Sequence, residues 1–107
     1  MLKRQVQLAR GIARFIDAHG AYELLPPSTE RLEERLQGVF VIVLFWAKGE
    51  GLNGDLVRRI NGTGRVYVSG TVLEGRRACR FAVANWGVDV ERDLGIVRGV
   101  LEEVAGG

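Results

Sequence analysis

The sequence predicts an α+β fold, a small and mostly antiparallel sheet of three or four strands with helices packed mainly on one face. Two segments with a helical spacing of apolar residues open and close the chain. Between them, one continuous apolar run and two strand-like segments joined by a glycine-containing turn supply the sheet. The 107 residues have the length of one domain, so we expect a single domain over 1–107.

Periodicity and helix-ending residues predict the elements of the N-terminal third. Apolar residues recur at helical spacing through 2–19, which predicts a helix that Gly20 ends as a C-terminal cap. The stretch 21–25, AYELL, predicts a short strand, and the two prolines after it end that strand. Ser28 is a suitable N-cap for a short helix over 29–37.

The middle of the chain predicts a central strand, a helix and a hairpin. The run 39–46, VFVIVLFW, is apolar on both sides, which is typical of a strand covered on both faces. Asn53 is predicted to cap a short helix that ends at Gly62. The segments 65–73 and 77–85 read as strands and are joined by EGR, so they predict a β-hairpin.

Three single residues refine the second half of the chain. Gly75 is expected at the hairpin turn. Gly70, inside the first hairpin strand, predicts a bulge or a close backbone approach. Asp89 is expected to cap a last helix over 90–104, whose apolar residues again recur at helical spacing.

The second hairpin strand places one charged residue in a row of small ones. Alternation gives two sides, with Cys79, Phe81 and Val83 on one and Ala78, Arg80, Ala82 and Ala84 on the other. The first side has the composition of a core face. On the second side, Arg80 either reaches an edge and is solvated or points into a site built for an anion.

The predicted elements leave one face of the sheet without a helix. Two long helices can cover one face of so small a sheet, but not easily both. The alanine row and one side of the run 39–46 would then form an exposed apolar surface, which usually marks a binding partner. The alternative is that the N-terminal helix crosses to the second face.

Composition argues against several classes of function. The net charge is +2, and the 15 basic and 13 acidic residues are spread along the chain, so nucleic-acid binding is not indicated. Sheets that bind RNA need exposed aromatic side chains, and Tyr67 is the one candidate. The longest apolar stretch has about half the length that a helix needs to cross a bilayer. We therefore expect a cytoplasmic protein that does not contact membranes.

The usual catalytic and metal-binding constellations are missing from the sequence. Cys79 is the only cysteine, which excludes a disulfide within the chain and a cysteine-based metal site. His19 is the only histidine, and beside Gly20 it is expected to satisfy free carbonyls at a helix end. The glycine-rich stretches match neither a phosphate loop nor a dinucleotide fingerprint. We expect no catalytic residue, metal ligand or cofactor-binding residue in this chain.

Four stretches of the sequence resemble the C-terminal small domain of the group II pyridoxal-phosphate (PLP)-dependent decarboxylases: YELLPPS, LVRRINGTGRVYVSGT, EGRRACRFAVANW and VERDLGIVRGVLEEV. This family includes the aromatic-amino-acid, tyrosine and glutamate decarboxylases. The similarity runs from about Arg4 to Val104. It implies the small domain of the aspartate-aminotransferase-like fold, in which the sheet face without helices contacts the large domain.

The resemblance also implies a role for Arg80. In the glutamate-decarboxylase-like members, the matching arginine binds a carboxylate of the substrate. A guanidinium suits a carboxylate because it offers two parallel charge-assisted hydrogen bonds. The Schiff-base lysine and the phosphate site of PLP belong to the large domain in this family. Lys48 does not replace that lysine, since it lacks the preceding histidine.

These observations together predict a C-terminal fragment of a PLP-dependent amino-acid decarboxylase, a carboxy-lyase that is inactive without its large domain. The fragment is either excised or the product of a truncated gene. Its partner would be the large domain, or a second copy that binds through the apolar sheet face. Two alternatives stay open, a stand-alone dimerisation module and a small-ligand-binding module of the α+β class.

Overall fold

The computed structural model describes residues 3–25, 42–82 and 89–106, which form helices and an antiparallel sheet. In chain order the elements are α1 (Lys3–Ala18), β1 (Tyr22–Leu24), β2 (Ile42–Ala47), α2 (Glu50–Gly62), β3 (Ser69–Leu73), β4 (Arg76–Ala82) and α3 (Val90–Gly106). The predicted helix over 29–37 lies outside the described residues, as do the start of the predicted strand 39–46 and the end of the predicted strand 77–85.

The sheet has four strands in the order β1-β2-β4-β3, and every neighbouring pair is antiparallel. β2 and β4 are therefore the inner strands, and β3 lies at an edge although it precedes β4 in the chain. The register places Leu44 of β2 and Ser69 of β3 on either side of Arg80 in β4. The α+β class and the mostly antiparallel sheet are confirmed.

The described helices all pack on one face of this sheet. Alternate residues of the inner strands, Val43 and Phe45 in β2 and Cys79 and Phe81 in β4, are at most 1% exposed on that face. The helices complete this main core with Leu8, Ala9, Ile12, Ala13, Ile16, Leu56, Ile60, Val97, Val100, Leu101 and Val104. Because α1 packs beside α3 and on β1 and β2, it does not cross to the second face. The predicted one-sided packing is confirmed.

A buried tyrosine joins β1 to α3 through the main core. Tyr22 Oη donates a hydrogen bond of 2.7 Å to the carbonyl oxygen of Leu101, and its ring meets Phe45 edge-on with centroids 5.8 Å apart. Burial, with smaller contributions from Cys79 and Glu102, raises the pKa of Tyr22 far above its ordinary value. The hydroxyl therefore stays protonated and serves as a structural donor.

His19 has a structural role, but not the one that its position predicts. Its ring contacts those of Phe15 and Tyr22, with centroids 5.4 and 5.1 Å apart. Nδ1 accepts a 3.0 Å hydrogen bond from the N–H of Ala21, and Nε2 lies 3.3 Å from a carboxylate oxygen of Glu102. His19 thus stabilises the turn between α1 and β1 and contacts α3, whereas it was expected to satisfy free carbonyls of α1.

Asn53 does not cap α2, because the helix begins at Glu50 with Gly49 as its N-cap residue. The buried Asn53 side chain instead joins two strands. Its Oδ1 accepts a 3.0 Å hydrogen bond from the N–H of Ala47, and its Nδ2 donates one of 2.9 Å to the carbonyl of Arg77. Asn53 thereby holds the start of α2 against the end of β2 and the start of β4.

β3 is shorter than the predicted strand 65–73, and an asparagine side chain binds the segment before it. Asn61 accepts a 2.7 Å hydrogen bond from the N–H of Val68 and donates one of 3.0 Å to the carbonyl of the same residue. These two bonds attach that segment to α2. Gly70 pairs with Cys79 in regular register, so the bulge, one of the two alternatives predicted for this residue, is wrong. For the other alternative, a close approach, a Cβ on Gly70 would lie 3.8 Å from the Val57 side chain, which is ordinary contact.

The hairpin turn and the last helix agree with the prediction. Glu74 and Gly75 connect β3 to β4 with φ angles of 52° and 79°, the signs of a type I′ turn. Asp89 caps α3, because its Oδ1 accepts a 3.1 Å hydrogen bond from the N–H of Arg92. Asp93 completes the cap by accepting a 3.2 Å bond from the N–H of Asp89.

Candidate functional site

The face of the sheet opposite the described helices, which we call the open face, carries the side chains that alternate with the main core. They are Glu23 of β1, Ile42, Leu44 and Trp46 of β2, Ser69, Thr71 and Leu73 of β3, and Arg76, Ala78, Arg80 and Ala82 of β4. Arg80, the residue that the family resemblance singles out, therefore lies on the face without a described helix.

One half of the open face is buried, which differs from the predicted exposed apolar surface. Leu25, Trp46 and Ala78 are 6%, 6% and 2% exposed, and the half-buried Leu44 and Leu73 pack against them. We call these residues the open-face cluster. The expectation of an exposed surface is wrong for this half because the side chains form a second, smaller core.

Polar contacts hold the indole at the centre of the open-face cluster. Trp46 Nε1 donates a 2.8 Å hydrogen bond to Glu23 Oε1. The guanidinium carbon of Arg76 lies 4.4 Å from the centroid of the indole, and Arg76 also donates a 2.6 Å hydrogen bond to the carbonyl of Ala47. Sequence reasoning missed these contacts, since only the strand register brings the residues together.

Arg80 lies beside the open-face cluster on an inner strand. Its cross-strand neighbours are Leu44 and Ser69, and Ala78 and Ala82 flank it along β4. The residue is exposed, and its guanidinium makes no hydrogen bond or ion pair to any described residue. A guanidinium presents five N–H donors in a planar arrangement that matches a carboxylate. Arg80 can therefore bind an anion that approaches this face.

The exposed half of the open face has little other charge. Ile42 is 39% exposed, and Ser69, Thr71 and Ala82 are also exposed. These side chains are small or uncharged, so they leave room around the Arg80 guanidinium. A carboxylate ligand placed there would meet one strong cation and mostly neutral surroundings.

The described residues also bear on the predictions for cysteine chemistry, metal binding and membrane spans. Cys79 is 1% exposed in the main core, and burial raises the pKa of its thiol to about 12, so the thiolate is not formed at neutral pH. Across 3–25, 42–82 and 89–106, no three His, Cys, Asp or Glu side chains lie together as a possible metal site. No helix in these ranges combines the length and the apolar character needed to span a bilayer.

The one-sided helices and the four-stranded sheet are also found in PLP-dependent decarboxylases. Oryza sativa TDC, solved with PLP and tryptamine, matches 98% of this chain with a TM-score of 0.74 at 22% identity. Catharanthus roseus tryptophan decarboxylase, solved with L-tryptophan, matches 99% with a TM-score of 0.74 at 18% identity. The glutamate decarboxylase domain of the Vibrio parahaemolyticus diaminobutyrate-pyruvate transaminase and L-2,4-diaminobutyrate decarboxylase matches 98%, with a TM-score of 0.68 at 21% identity.

This chain corresponds to 21–22% of the length of each of those three proteins. At such identities the similarity establishes the fold alone, and it confirms at that level the predicted resemblance to PLP-dependent decarboxylases. No family model and no curated protein matches the sequence.

Proposed function

We propose that this chain is the C-terminal small domain of a PLP-dependent amino-acid decarboxylase, and that its open face completes the substrate site on a large domain. The observation that carries the proposal is the Arg80 guanidinium, which is exposed on the face without a described helix and has no partner among the described residues. A cation with no partner among the described residues is suited to a ligand that is held by another domain. The fold shared with the decarboxylases supports this assignment.

The described residues of this chain do not fit PLP themselves. The chain has two lysines, and both Lys3 on α1 and Lys48 in the turn after β2 are exposed, whereas a lysine that carries a cofactor needs an enclosed and tuned site. PLP on the large domain would supply the electron sink for loss of CO2. We therefore expect the isolated chain to be inactive.

Within this proposal, Arg80 orients the substrate. Its two parallel hydrogen bonds would hold a substrate carboxylate in one plane and exclude other orientations. Such positioning contributes to catalysis because a fixed reactive geometry removes rotational freedom before the chemical step. The small and exposed side chain of Ala82 beside Arg80 leaves space for the substrate and for the large domain.

The proposed function is tested by reconstitution. The purified chain with added PLP should release no CO2 from amino acids above the rate of PLP alone. The same chain produced together with the coding sequence that adjoins it in its genome should decarboxylate an amino acid. CO2 release by the chain alone, or adjoining sequence that encodes no domain with a PLP lysine, would contradict the proposal.

The role of Arg80 requires its own test in the complete enzyme. Arg80→Gln should lower kcat/KM by about 10- to 100-fold, because one charge-assisted contact to the substrate is lost. Arg80→Lys should recover part of the loss, since it keeps the charge but not the planar donor pair. The matched control is Arg58→Gln, an exposed position on α2 on the other side of the sheet that pairs with Asp55. Equal kinetics of the Arg80→Gln and Arg58→Gln enzymes would exclude substrate binding by Arg80.

The exposed Ile42 and Ala82 favour a second candidate, a stand-alone module that dimerises through the open face. These side chains form an exposed apolar surface beside the open-face cluster. In a two-fold symmetric dimer, the same surface of both copies would be buried. A chain that sediments as a dimer, and whose dimer is weakened by Ile42→Asp, would support this function over the decarboxylase.

A further inference from the structure

A groove lies on the helix side of the sheet, between α2 and the β3–β4 hairpin. Its volume is about 340 Å³, and it is partly open to solvent. Its apolar lining residues include Val57 of α2 and Val72 and Cys79 of the hairpin. Val72 is 65% exposed and Cys79 is 1% exposed, so the groove runs from the protein surface down to the main core.

Two glycines leave this groove open. Gly54 on α2 and Gly70 on β3 both line it. A Cβ atom on Gly54 would meet nothing within 4 Å, and one on Gly70 would lie 3.8 Å from Val57, which is ordinary contact. Since packing within the chain does not require either glycine, larger side chains at these positions would occupy the groove without displacing its walls.

The Arg77 side chain provides a positive charge in the lining of the groove. Arg77 and Arg80 of β4 point to opposite faces of the sheet. The Arg77 guanidinium lies on the side of α2, where its Nη1 donates a long hydrogen bond of 3.4 Å to the carbonyl of Gly54. No other side-chain contact of Arg77 falls within the described residues. The hydrogen bond from Asn53 to the carbonyl of Arg77 fixes the backbone at this point. Most of the guanidinium donors are therefore available to a ligand beside the apolar groove.

We propose that this groove binds a small carboxylic acid with an apolar body. The body would pack against Val57, Val72 and Cys79, and the carboxylate would accept hydrogen bonds from Arg77. A cavity of about 340 Å³ lies at the small end of the range for ligand sites, so the body is limited to about one aromatic ring or a branched aliphatic chain. The site does not involve Arg80 of the proposed function, because Arg80 is not among the lining residues and its side chain lies on the other side of the sheet.

The groove is tested by NMR titration of the isotope-labelled full chain with 3-phenylpropionate. We expect shifts of the amide resonances of Gly54, Val57, Gly70, Val72 and Cys79, with a Kd of about 1 mM or tighter. The uncharged 3-phenylpropionamide should bind at least about 10-fold more weakly, because it lacks the charge-assisted bonds. Equal binding of the two compounds, shifts elsewhere in the chain, or no shifts would overturn the proposal.

Two pairs of variants separate the groove from general effects. Arg77→Gln should lower the affinity for 3-phenylpropionate by about 10-fold. Arg58→Gln, which lies outside the groove on α2, should leave the affinity unchanged. Gly54→Leu should abolish binding by filling the cavity, whereas Gly51→Leu, which also has open space around it in α2, should leave the affinity unchanged. Both leucine substitutions favour the helix, and the amide spectra report whether the fold is kept. Binding that survives Gly54→Leu would exclude the groove as the site.

Discussion

Replacement of Phe45 by alanine should lower the free energy of unfolding by about 3–5 kcal/mol, the largest effect that we expect from a single substitution in this chain. Phe45 is fully buried on the inner strand β2, and its ring meets that of Tyr22 edge-on. Alanine would leave a cavity between the sheet and the helices. A domain of this size is stable by only about 5–15 kcal/mol, so the variant should approach the limit of folding at room temperature.

Urea denaturation followed by circular dichroism measures this loss. Ile42→Ala on the same strand is the matched control, because Ile42 lies on the open face and is 39% exposed. It should cost about 1 kcal/mol or less, since part of its side chain contacts water in the folded state. Comparable losses for the two variants would mean that the helix-side core does not dominate the stability of this fold.

Replacement of Asn53 by leucine should lower the free energy of unfolding by about 2–4 kcal/mol, although leucine is apolar and of similar size. The reason is that one side chain satisfies two backbone groups, the N–H of Ala47 and the carbonyl of Arg77. Leucine leaves both without their partner at a site where Asn53 is 8% exposed. Each buried and unpaired polar group costs about 1–3 kcal/mol.

Asn61→Leu is the comparison for this prediction. Asn61 also makes a pair of hydrogen bonds to backbone, both to Val68, but it is less buried than Asn53. Water can replace part of those bonds, so the loss should be smaller, about 1–2 kcal/mol. A larger loss of unfolding free energy for Asn61→Leu than for Asn53→Leu, measured by denaturation, would contradict the bridging role of Asn53.

Short-range patterns in the sequence predict much of this fold. The type I′ turn at Glu74 and Gly75 and the cap by Asp89 depend on residues close together in the chain, so short-range rules suffice to predict them. Alternation along β4 likewise separates the buried Cys79 and Phe81 from the exposed Arg80. One-sided packing follows from the size of the sheet relative to the predicted helices.

The features that were missed depend on contacts between distant parts of the chain. Asn53 has the character of a cap residue, and only the positions of Ala47 and Arg77 around it give its side chain a different role. Arg76 lies over the indole of Trp46, a member of the open-face cluster, because β2 and β4 are neighbours in the sheet. Arg76 also binds the carbonyl of Ala47, although the two residues are 29 positions apart in the sequence. The sequence pattern contains no such pairing information.

Neighbouring residues of β2 belong to different hydrophobic clusters, Phe45 to the main core and Trp46 to the open-face cluster. A shift of this strand by a single position would exchange them, and an indole would enter a space shaped for a phenyl ring while the other side lost its largest member. The pairing of β2 with both of its neighbours is thus fixed by side-chain shape as well as by backbone bonds, so insertions into this strand should be tolerated far less well than insertions into the turns.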